Sequence, residues 1–375
     1  MRISRIDTFI VRLGYKPVYQ RQTGKEGEFN AARASQPTLD SLILRLETDT
    51  GVVGWGEAFG HACNPATMAL LTERLAPFLL EEPCEDIAAL MTKLQYAFHS
   101  YGRGGIMTYA LSAVDIALWD IRAKVQRLPL WQLLGGTRSQ VEVYPSLASF
   151  DGDVEALLPY VKNLIKQGYR QIKLHERDPQ STIAVSRVMP ENGVLMLDTN
   201  CAWHEEEAAE NLSRLHSAGV AFVEEPTFPP EALTRLKQLK QQTGMPLAAG
   251  ENMLNPEEFR RCLEEKLLDV MQPSVAKVGG ISAVLEIINA WRATPQGTLL
   301  PHCFYYGPGL LATAHLLSVM PQTVPLEVPW MEFEHCLHPF MAWQPMIDLP
   351  TTPGLGFDPD PHMLERFTIA RGVTV

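Results

Sequence analysis

The chain has 375 residues, 46% of them hydrophobic and 20% charged, which is typical of an ordered globular protein long enough for a large barrel with an attached domain or for two ordinary domains. Its formal net charge of -11 argues against a nucleic acid partner, because phosphate binding requires a basic surface. Neither a signal peptide nor an apolar run near the roughly 20 residues that span a bilayer is evident, so we expect a cytoplasmic protein without a membrane partner.

Residues 1–125 predict an α+β domain. Alternating apolar residues and one tight turn indicate a β-meander, with strands at 3–13, 41–48 and 52–57. Apolar residues at helical spacing then indicate helices at 65–79, 87–97 and 108–124. Helices therefore complete the first domain.

Residues 126–335 show short apolar strands alternating with helical stretches, the pattern of consecutive parallel βα units. Glycines begin several of these strands, and a polar residue lies near the end of each: Lys173, Asp198, Glu224, Glu251 and His302. Successive strand ends are separated by about the length of one βα unit. Several strands are continuously apolar, which is expected where both faces of a sheet are buried.

Eight such strand ends close a barrel better than they fill an open sheet, and an open doubly wound sheet is the minority alternative. The predicted fold is therefore α/β: a (β/α)8 TIM barrel preceded by an N-terminal α+β domain. Residues 336–375 are expected to form a C-terminal segment that returns to the N-terminal domain.

Three acidic residues end consecutive predicted strands: Asp198, Glu224 and Glu251. Side chains at the carboxyl ends of barrel strands converge on one mouth, where three carboxylates repel one another unless a cation neutralises them. Oxygen ligands favour Mg²⁺, and the six scattered cysteines form no C-x-x-C pair that would favour zinc. The alternative is that these acids only cap helices, which suits Asp198 alone better than all three.

Basic residues flank the predicted metal site. Lys173 and His175 share one face of the preceding strand, since strand side chains alternate, and His302 lies two strands beyond Glu251. Each can move a proton near neutral pH when its surroundings adjust its pKa. The alternatives are a solvated lysine and packed, hydrogen-bonded imidazoles.

Taken together, these residues and their flanking motifs resemble the mandelate racemase and muconate lactonizing enzyme family of the enolase superfamily over nearly the whole chain. The motifs that carry the resemblance are Gly54-Trp55-Gly56-Glu57, Val114-Asp115-Ile116-Ala117-Leu118-Trp119-Asp120, Ile172-Lys173-Leu174-His175, Leu197-Asp198-Thr199-Asn200, Val223-Glu224-Glu225-Pro226, Ala249-Gly250-Glu251-Asn252, Gln272-Pro273, Gly279-Gly280-Ile281 and Pro301-His302.

The resemblance implies a modified (β/α)8 TIM barrel with an N-terminal α+β capping domain. It implies Asp198, Glu224 and Glu251 as Mg²⁺ ligands, with acid/base groups on opposite faces of the substrate. It also implies that Glu327 contacts the substrate carboxylate and that the protein forms a homo-oligomer. Further candidate substrate-binding residues are Asn200 and, in the capping domain, Arg21 and His61. Their polar character suits a hydroxylated acid, although each could equally be an ordinary loop residue.

The chain departs from the family pattern at two positions. Ser274 stands where racemase-like members carry an aspartate that orients the histidine, so His302 is expected to lack that charged partner, although a serine can still hold the imidazole by a hydrogen bond. His175 stands where many relatives carry a second lysine, which suggests His175 as the base and Lys173 as the group that binds the substrate carboxylate. We interpret Lys277 as a surface or helix-start lysine.

The leading hypothesis is Mg²⁺-dependent removal of the proton next to a carboxylate, followed by dehydration of a sugar acid to a 2-keto-3-deoxy acid. The alternatives are racemisation, epimerisation or cycloisomerisation of a related hydroxy acid or lactone. A further alternative, prompted by Ser274, is a barrel that binds a metal and a small carboxylate without turnover. The expected partner in all cases is a small-molecule carboxylate.

Overall fold

The structure, a computed structural model, describes residues 1–19 and 37–374. It contains the α/β-barrel with an N-terminal capping domain that the sequence predicts. Arg21 lies outside the described residues.

The capping domain is built on an antiparallel meander with long hydrogen-bonded ladders between its strands, β1 Ile3–Lys16, β2 Thr38–Thr48 and β3 Val53–Ala58. Its helices are α1 Asn64–Leu70, α2 Ala76–Leu79, α3 Ile87–Ala97 and α4 Ile106–Val125, with a π-helical stretch at Leu71–Leu75. The predicted strands and helices of this domain are therefore all present. The apolar faces of sheet and helices form a core of their own.

The helix α4 packs directly on strand β3 because two glycines let the backbones approach. A Cβ atom at Gly54 or Gly56 would collide with the carbonyl oxygen of Ala117 or Ala113 in α4. Only glycine permits so close an approach. The Gly-Trp-Gly-Glu motif thus fixes the position of the capping sheet against its longest helix.

The barrel contains eight parallel strands: β4 Gln140–Leu147, β5 Gln171–His175, β6 Val194–Asp198, β7 Phe222–Glu224, β8 Leu247–Ala249, β9 Val270–Met271, β10 Thr298–Leu299 and β11 Leu326–Trp330. Helices surround them: α5 Leu130–Leu133, α6 Val154–Lys166, α7 Pro179–Ser186, α8 Glu205–Ser217, α9 Leu233–Thr243, α10 Pro256–Glu265, α11 Gly280–Ala293 and α12 Pro308–Leu317. Neighbouring strands pair in chain order from β4 to β10, and β11 pairs with β4, which brings the eighth strand beside the first.

The C-terminal segment contacts both domains. It contains β13 Met346–Asp348, α13 Pro361–Phe367 and β14 Thr368–Thr374, and it follows the short strand β12 Glu332–Phe333, which pairs with β1. Strand β14 pairs with β1 of the capping sheet, and β13 pairs antiparallel with β4 of the barrel. The domain boundaries predicted after residues 125 and 335 stay a prediction.

Buried carboxylates join the capping domain to the barrel. Glu57 at the end of β3 accepts hydrogen bonds from the backbone N–H groups of Gly307 and Gly309, at 3.1 and 2.8 Å, where α12 begins. Asp115 in α4 accepts from the backbone N–H of Ser282 in α11 at 2.9 Å. These contacts hold the cap over the carboxyl ends of the barrel strands.

No helix among residues 1–19 and 37–374 is long and apolar enough to cross a membrane. The cytoplasmic location stays a prediction.

Candidate active site

The predicted acids lie at the carboxyl ends of adjacent barrel strands, as their order in the chain requires. Asp198 ends β6 and Glu224 ends β7, and the two residues are partners in the ladder between these strands. Glu251 follows β8 by two residues. Asp198 and Glu224 are buried, and the side chain of Glu251 is 16% exposed.

Lys173 in β5 is the centre of the most buried charge cluster. Its Nζ lies 2.8 Å from Glu224 Oε2, 2.6 Å from Glu327 Oε1 and 3.7 Å from Asp198 Oδ2. Burial alone would lower the pKa of Lys173, but the three carboxylates hold that pKa well above its ordinary value. Lys173 is therefore a fixed ammonium.

Glu327 is the second charged member of this cluster. It is completely buried in β11, and its Oε2 accepts a hydrogen bond from the backbone N–H of Cys303 at 3.0 Å. Burial alone would raise its pKa, but Lys173 holds the pKa of Glu327 below its ordinary value. In this arrangement Glu327 orients Lys173, and a direct contact of Glu327 with substrate stays a prediction.

His175 ends β5 and presents one particular nitrogen to the acids. Its Nδ1 lies 2.6 Å from the carbonyl oxygen of Leu147, which can only accept, so Nδ1 carries a proton. Its Nε2 lies 3.2 Å from Asp198 Oδ2. Burial lowers the pKa of His175, and the charge and hydrogen bond of Asp198 more than compensate, so the pKa is raised overall.

His302 follows β10 and is oriented by a chain of hydroxyl groups. Tyr305 Oη donates to the His302 carbonyl oxygen at 3.1 Å, which leaves that phenol oxygen to accept from Ser274 Oγ at 3.0 Å. Ser274 Oγ in turn accepts from His302 Nδ1 at 3.2 Å. The hydroxyl of Ser274 thus holds the imidazole, at the position where the family resemblance led us to expect an aspartate.

Position 274 gives His302 no charged partner, as expected, but a carboxylate contacts the other nitrogen of the ring. Its Nε2 lies 2.9 Å from Glu251 Oε2. Glu251, which follows β8, contacts Nε2 of His302, whereas Ser274 contacts Nδ1. His175 and His302 therefore share one arrangement, in which Nδ1 is anchored by the protein and Nε2 faces a carboxylate.

The three acids provide the donor chemistry that a hard divalent cation requires. Oε1 of Glu224 is buried and has no hydrogen-bond partner, while Gln272 donates to its Oε2 at 2.7 Å. Burial, followed by the charge of Asp198, raises the pKa of Glu224 to about 7. An unpartnered buried oxygen beside a second carboxylate fits a cation, because the cation would satisfy the oxygen and relieve the repulsion.

The described residues contain no ready-made group of three His, Cys, Asp or Glu side chains that could hold a metal ion. Each acid is instead paired with a basic group: Glu224 with Lys173, Asp198 with His175, and Glu251 with His302. A cation must therefore compete with these pairs for carboxylate oxygens.

The interpretation of Lys277 as a surface lysine is wrong. The residue is 4% exposed, its Nζ donates to Asn252 Oδ1 at 3.1 Å, and the same ammonium lies 4.2 Å from the centre of the Phe59 ring. The turn after β9 directs the side chain toward Glu251, a placement that single-sequence patterns do not show.

The capping residues reach the His302 side of the mouth. The ring of His61 packs edge-on against Phe59 at 4.5 Å, and the ring of Phe59 lies 6.3 Å from that of His302. Burial, followed by the charge of Lys277, lowers the pKa of His61 to about 4. The substrate-binding roles of His61 and of Arg21 stay predictions.

Asn200 lies just past β6, in a left-handed conformation with φ 46°. Its backbone N–H donates to Asp198 Oδ1 at 2.8 Å, so this residue helps to orient a proposed metal ligand. Its contact with substrate stays a prediction.

Sequence reasoning missed three polar residues that complete the site, Gln272, Asn252 and Lys277. Two of them carried a signal, since Gln272 and Asn252 belong to motifs that were recognised by resemblance. Their neighbours drew attention instead because acids and histidines have a more obvious chemistry.

Comparison with known proteins identifies the family of this chain. Residues 18–135 match the family model described as mandelate racemase / muconate lactonizing enzyme, N-terminal domain, and residues 157–363 match the model described as enolase C-terminal domain-like. The chain belongs to the mandelate racemase/muconate lactonizing enzyme family of the enolase superfamily. It is therefore an enzyme of this superfamily, a lyase or an isomerase, and the binding-only alternative is set aside.

Individual relatives differ in the reaction that their names state. An arabinonate dehydratase of Saccharolobus solfataricus is 28% identical over 326 residues, 85% of each chain. The solved 3,6-anhydro-D-galactonate cycloisomerase of Zobellia galactanivorans is 25% identical, covers 99% of this chain and 100% of its own, and has a TM-score of 0.82. A solved racemase of Streptomyces coelicolor A3(2) with bound magnesium is 25% identical, with 98% and 100% coverage and a TM-score of 0.81.

Proposed function

We propose that this enzyme removes the α-proton of a sugar acid and eliminates the β-hydroxyl group, giving a 2-keto-3-deoxy acid. The observation that carries the proposal is the matched pair His175 and His302. Each imidazole is anchored through Nδ1, and each directs Nε2 at one member of the same carboxylate series. Elimination needs such a pair, one group to accept a proton and one to donate it.

Asp198, Glu224 and Glu251 would hold Mg²⁺. When bound, the ion withdraws negative charge from the substrate carboxylate and so makes the neighbouring proton acidic. The unpartnered Oε1 of Glu224 supports this assignment, as does the bound magnesium of the Streptomyces coelicolor racemase.

Lys173 donates hydrogen bonds to the substrate carboxylate in this proposal. It is unsuited to act as the base because the surrounding carboxylates keep its amino group protonated. His175 lies on the same strand and takes the α-proton at Nε2. The two electrons of the broken C–H bond first form a double bond between Cα and the carboxyl carbon, and they become the double bond between Cα and Cβ when the β-hydroxyl group leaves.

His302 acts on the opposite side of the mouth. Its Nε2 donates a proton to the β-hydroxyl oxygen as the bond between carbon and oxygen breaks, so water leaves with that electron pair. The resulting enol tautomerises to the 2-keto acid. The net change is the loss of one water molecule. His175 passes its added proton to solvent and His302 takes one up from solvent, which restores both imidazoles for the next turnover.

Cycloisomerisation is the second candidate function, favoured by the likeness to the Zobellia galactanivorans enzyme over nearly the whole of both chains. Racemisation or epimerisation follows if His302 returns a proton to Cα instead of to oxygen. All three reactions share the first step, so the fate of the substrate after loss of its α-proton distinguishes them.

The test is incubation of the protein with Mg²⁺ in D₂O and a panel of sugar acids, followed by proton NMR. We expect loss of the α-proton signal together with a new 2-keto-3-deoxy acid. Exchange or inversion without elimination identifies a racemase or epimerase, and a rearranged isomer identifies a cycloisomerase. If no acid in the panel exchanges or reacts, the proposal fails. Assembly as a homo-oligomer stays a prediction, which sedimentation analysis addresses.

A further inference from the structure

The side-chain amide of Asn252 lies between one ammonium and two carboxylates. Its Oδ1 accepts from Lys277 Nζ at 3.1 Å. Its Nδ2 donates to Glu251 Oε1 at 3.0 Å and to Glu225 Oε2 at 2.7 Å. One amide thus joins an ammonium group to two carboxyl groups.

The identity of its neighbours fixes which way the amide points. An ammonium group has three donors and no acceptor, and an ionised carboxylate only accepts. Lys277 can therefore contact only Oδ1, which leaves Nδ2 to face Glu251 and Glu225. A flipped amide would direct its NH₂ group at an ammonium, so the ammonium enforces this orientation.

Lys277 has no direct carboxylate partner of its own. Among the described residues, no ion pair within 4.0 Å involves Lys277, whose Nζ donates to Asn252 and lies over the Phe59 ring. Burial would raise the pKa of Glu251, but the charge of Lys277, followed by that of His302, holds that pKa well below its ordinary value. A buried ammonium is costly unless its charge is compensated. Glu251 and Glu225, on the other side of the Asn252 amide, compensate the charge of Lys277 without contacting it directly.

We propose that Lys277 is a positioning residue for the metal site, and that it fixes the Glu251 carboxylate through Asn252. The inference rests on the proposed role of Glu251 as a Mg²⁺ ligand. Lys277 holds the amide oxygen, the amide holds Glu251 Oε1, and Oε2 of Glu251 remains on the His302 side.

Removal of Lys277 releases one end of this arrangement. Asn252 Oδ1 loses its donor, the amide gains freedom to rotate away, and Glu251 loses the contact that orients Oε1. Loss of a residue that orients a metal ligand generally weakens metal binding by about 10-fold to 100-fold. The same loss is expected here.

The experiment measures Mn²⁺ affinity in the absence of substrate, from the electron paramagnetic resonance signal of free Mn²⁺. Wild type is compared with Lys277→Met, which keeps the length but donates nothing, and with Lys277→Gln, which keeps a donor without the charge. Lys240→Met is the control, because Lys240 pairs with Asp269 outside the carboxylate cluster. We expect roughly 10-fold to 100-fold weaker binding for Lys277→Met, at least partial recovery for Lys277→Gln, and no change for the control.

Unchanged Mn²⁺ affinity in Lys277→Met overturns the inference, and so does Lys277→Gln binding as weakly as Lys277→Met. If wild type itself binds no Mn²⁺, the proposed metal site fails instead, so the two failures are distinguishable. Should Lys277→Met not fold, Asn252→Ala removes the same link from the other side. It is then expected to weaken binding to a similar extent, and wild-type affinity in that variant would contradict the inference.

Discussion

Two buried lysines approach the barrel mouth from opposite sides, and they are bound in different ways. Lys173 belongs to the second barrel strand and Lys277 follows the sixth, so their strands lie half-way round the eight-stranded barrel from each other. Both are at most 4% exposed. Lys173 contacts Glu224 and Glu327 directly, at 2.8 and 2.6 Å. Among the described residues, Lys277 is linked to carboxyl groups by hydrogen bonds through Asn252.

The difference shows two ways of compensating a buried charge. Direct pairing makes Lys173 part of a rigid ionic cluster, in which removal of the ammonium would leave carboxylates buried and unpaired. Pairing through an amide leaves the carboxylate of Glu251 with oxygens available to other partners while its orientation is still fixed. The Lys173 side is therefore expected to govern stability more strongly, and the Lys277 side to govern metal affinity.

The largest expected effects concern the histidines on the two sides. His302→Asn should lower the dehydration rate by about 10²-fold to 10⁴-fold while α-proton exchange persists, because His175 still removes the proton. His175→Asn should lose both exchange and dehydration. Proton NMR in D₂O follows both processes in one sample, and thermal unfolding checks that each variant is folded. If His302→Asn also loses exchange, the assignment of the base to the Lys173 side is wrong.

Lys173→Met is expected to cost about 3–5 kcal/mol of unfolding free energy, because it leaves Glu224 and Glu327 as uncompensated buried charges. Lys277→Met should cost less, about 1–3 kcal/mol, since it leaves chiefly the oxygen of Asn252 unsatisfied. Urea unfolding of both variants without added metal measures the two values. Equal losses would contradict the distinction between direct and amide-mediated compensation.

Ser274→Ala removes the hydroxyl that anchors Nδ1 of His302. We expect turnover to fall by the equivalent of about 0.5–1.5 kcal/mol, the usual worth of one hydrogen bond, with little change in substrate KM. Ser274→Thr keeps the hydroxyl and serves as the matched control. A Ser274→Thr variant as slow as Ser274→Ala would show that packing at this position matters and the hydrogen bond does not.

Glu57 sharpens the comparison further, because it is as buried as Glu327 but pairs with no lysine in the part of the chain that the structure describes. Burial raises the pKa of Glu57 to about 7. The folded protein thus binds this proton more tightly than the unfolded chain, so the resulting stability is fully present below the ordinary glutamate pKa. It is lost as the pH rises through about 7.

Glu57→Gln should therefore flatten the dependence of unfolding free energy on pH by up to about 1.4 kcal/mol per pH unit between pH 5 and pH 7. The measurement is urea unfolding at a series of pH values. Glu332→Gln is the control, since Glu332 is 68% exposed and pairs with Lys16 at the surface. An unchanged slope in Glu57→Gln would show that the carboxyl is ionised at the cap interface.

The sequence predicted which residues lie at the barrel mouth better than it predicted the contacts between them. Strand periodicity and glycine spacing placed Lys173, Asp198 and Glu224 at strand ends, since the chain order of parallel strands decides which residues meet at one end of a barrel. Spacing does not predict side-chain rotamers or which loop turns inward. For that reason Lys277 was taken for a surface lysine and the contact of His302 with Glu251 was not foreseen.

The sequence by itself determined the barrel with its cap, the family, and the set of acids and bases at the mouth, because these depend on local periodicity and on short motifs. Only the tertiary structure decided which base pairs with which acid, which histidine nitrogen faces inward, and that Asn252 joins Lys277 to Glu251. Those features depend on distances of about 3 Å between residues far apart in the chain, and hydrogen bonds weaken steeply outside that range.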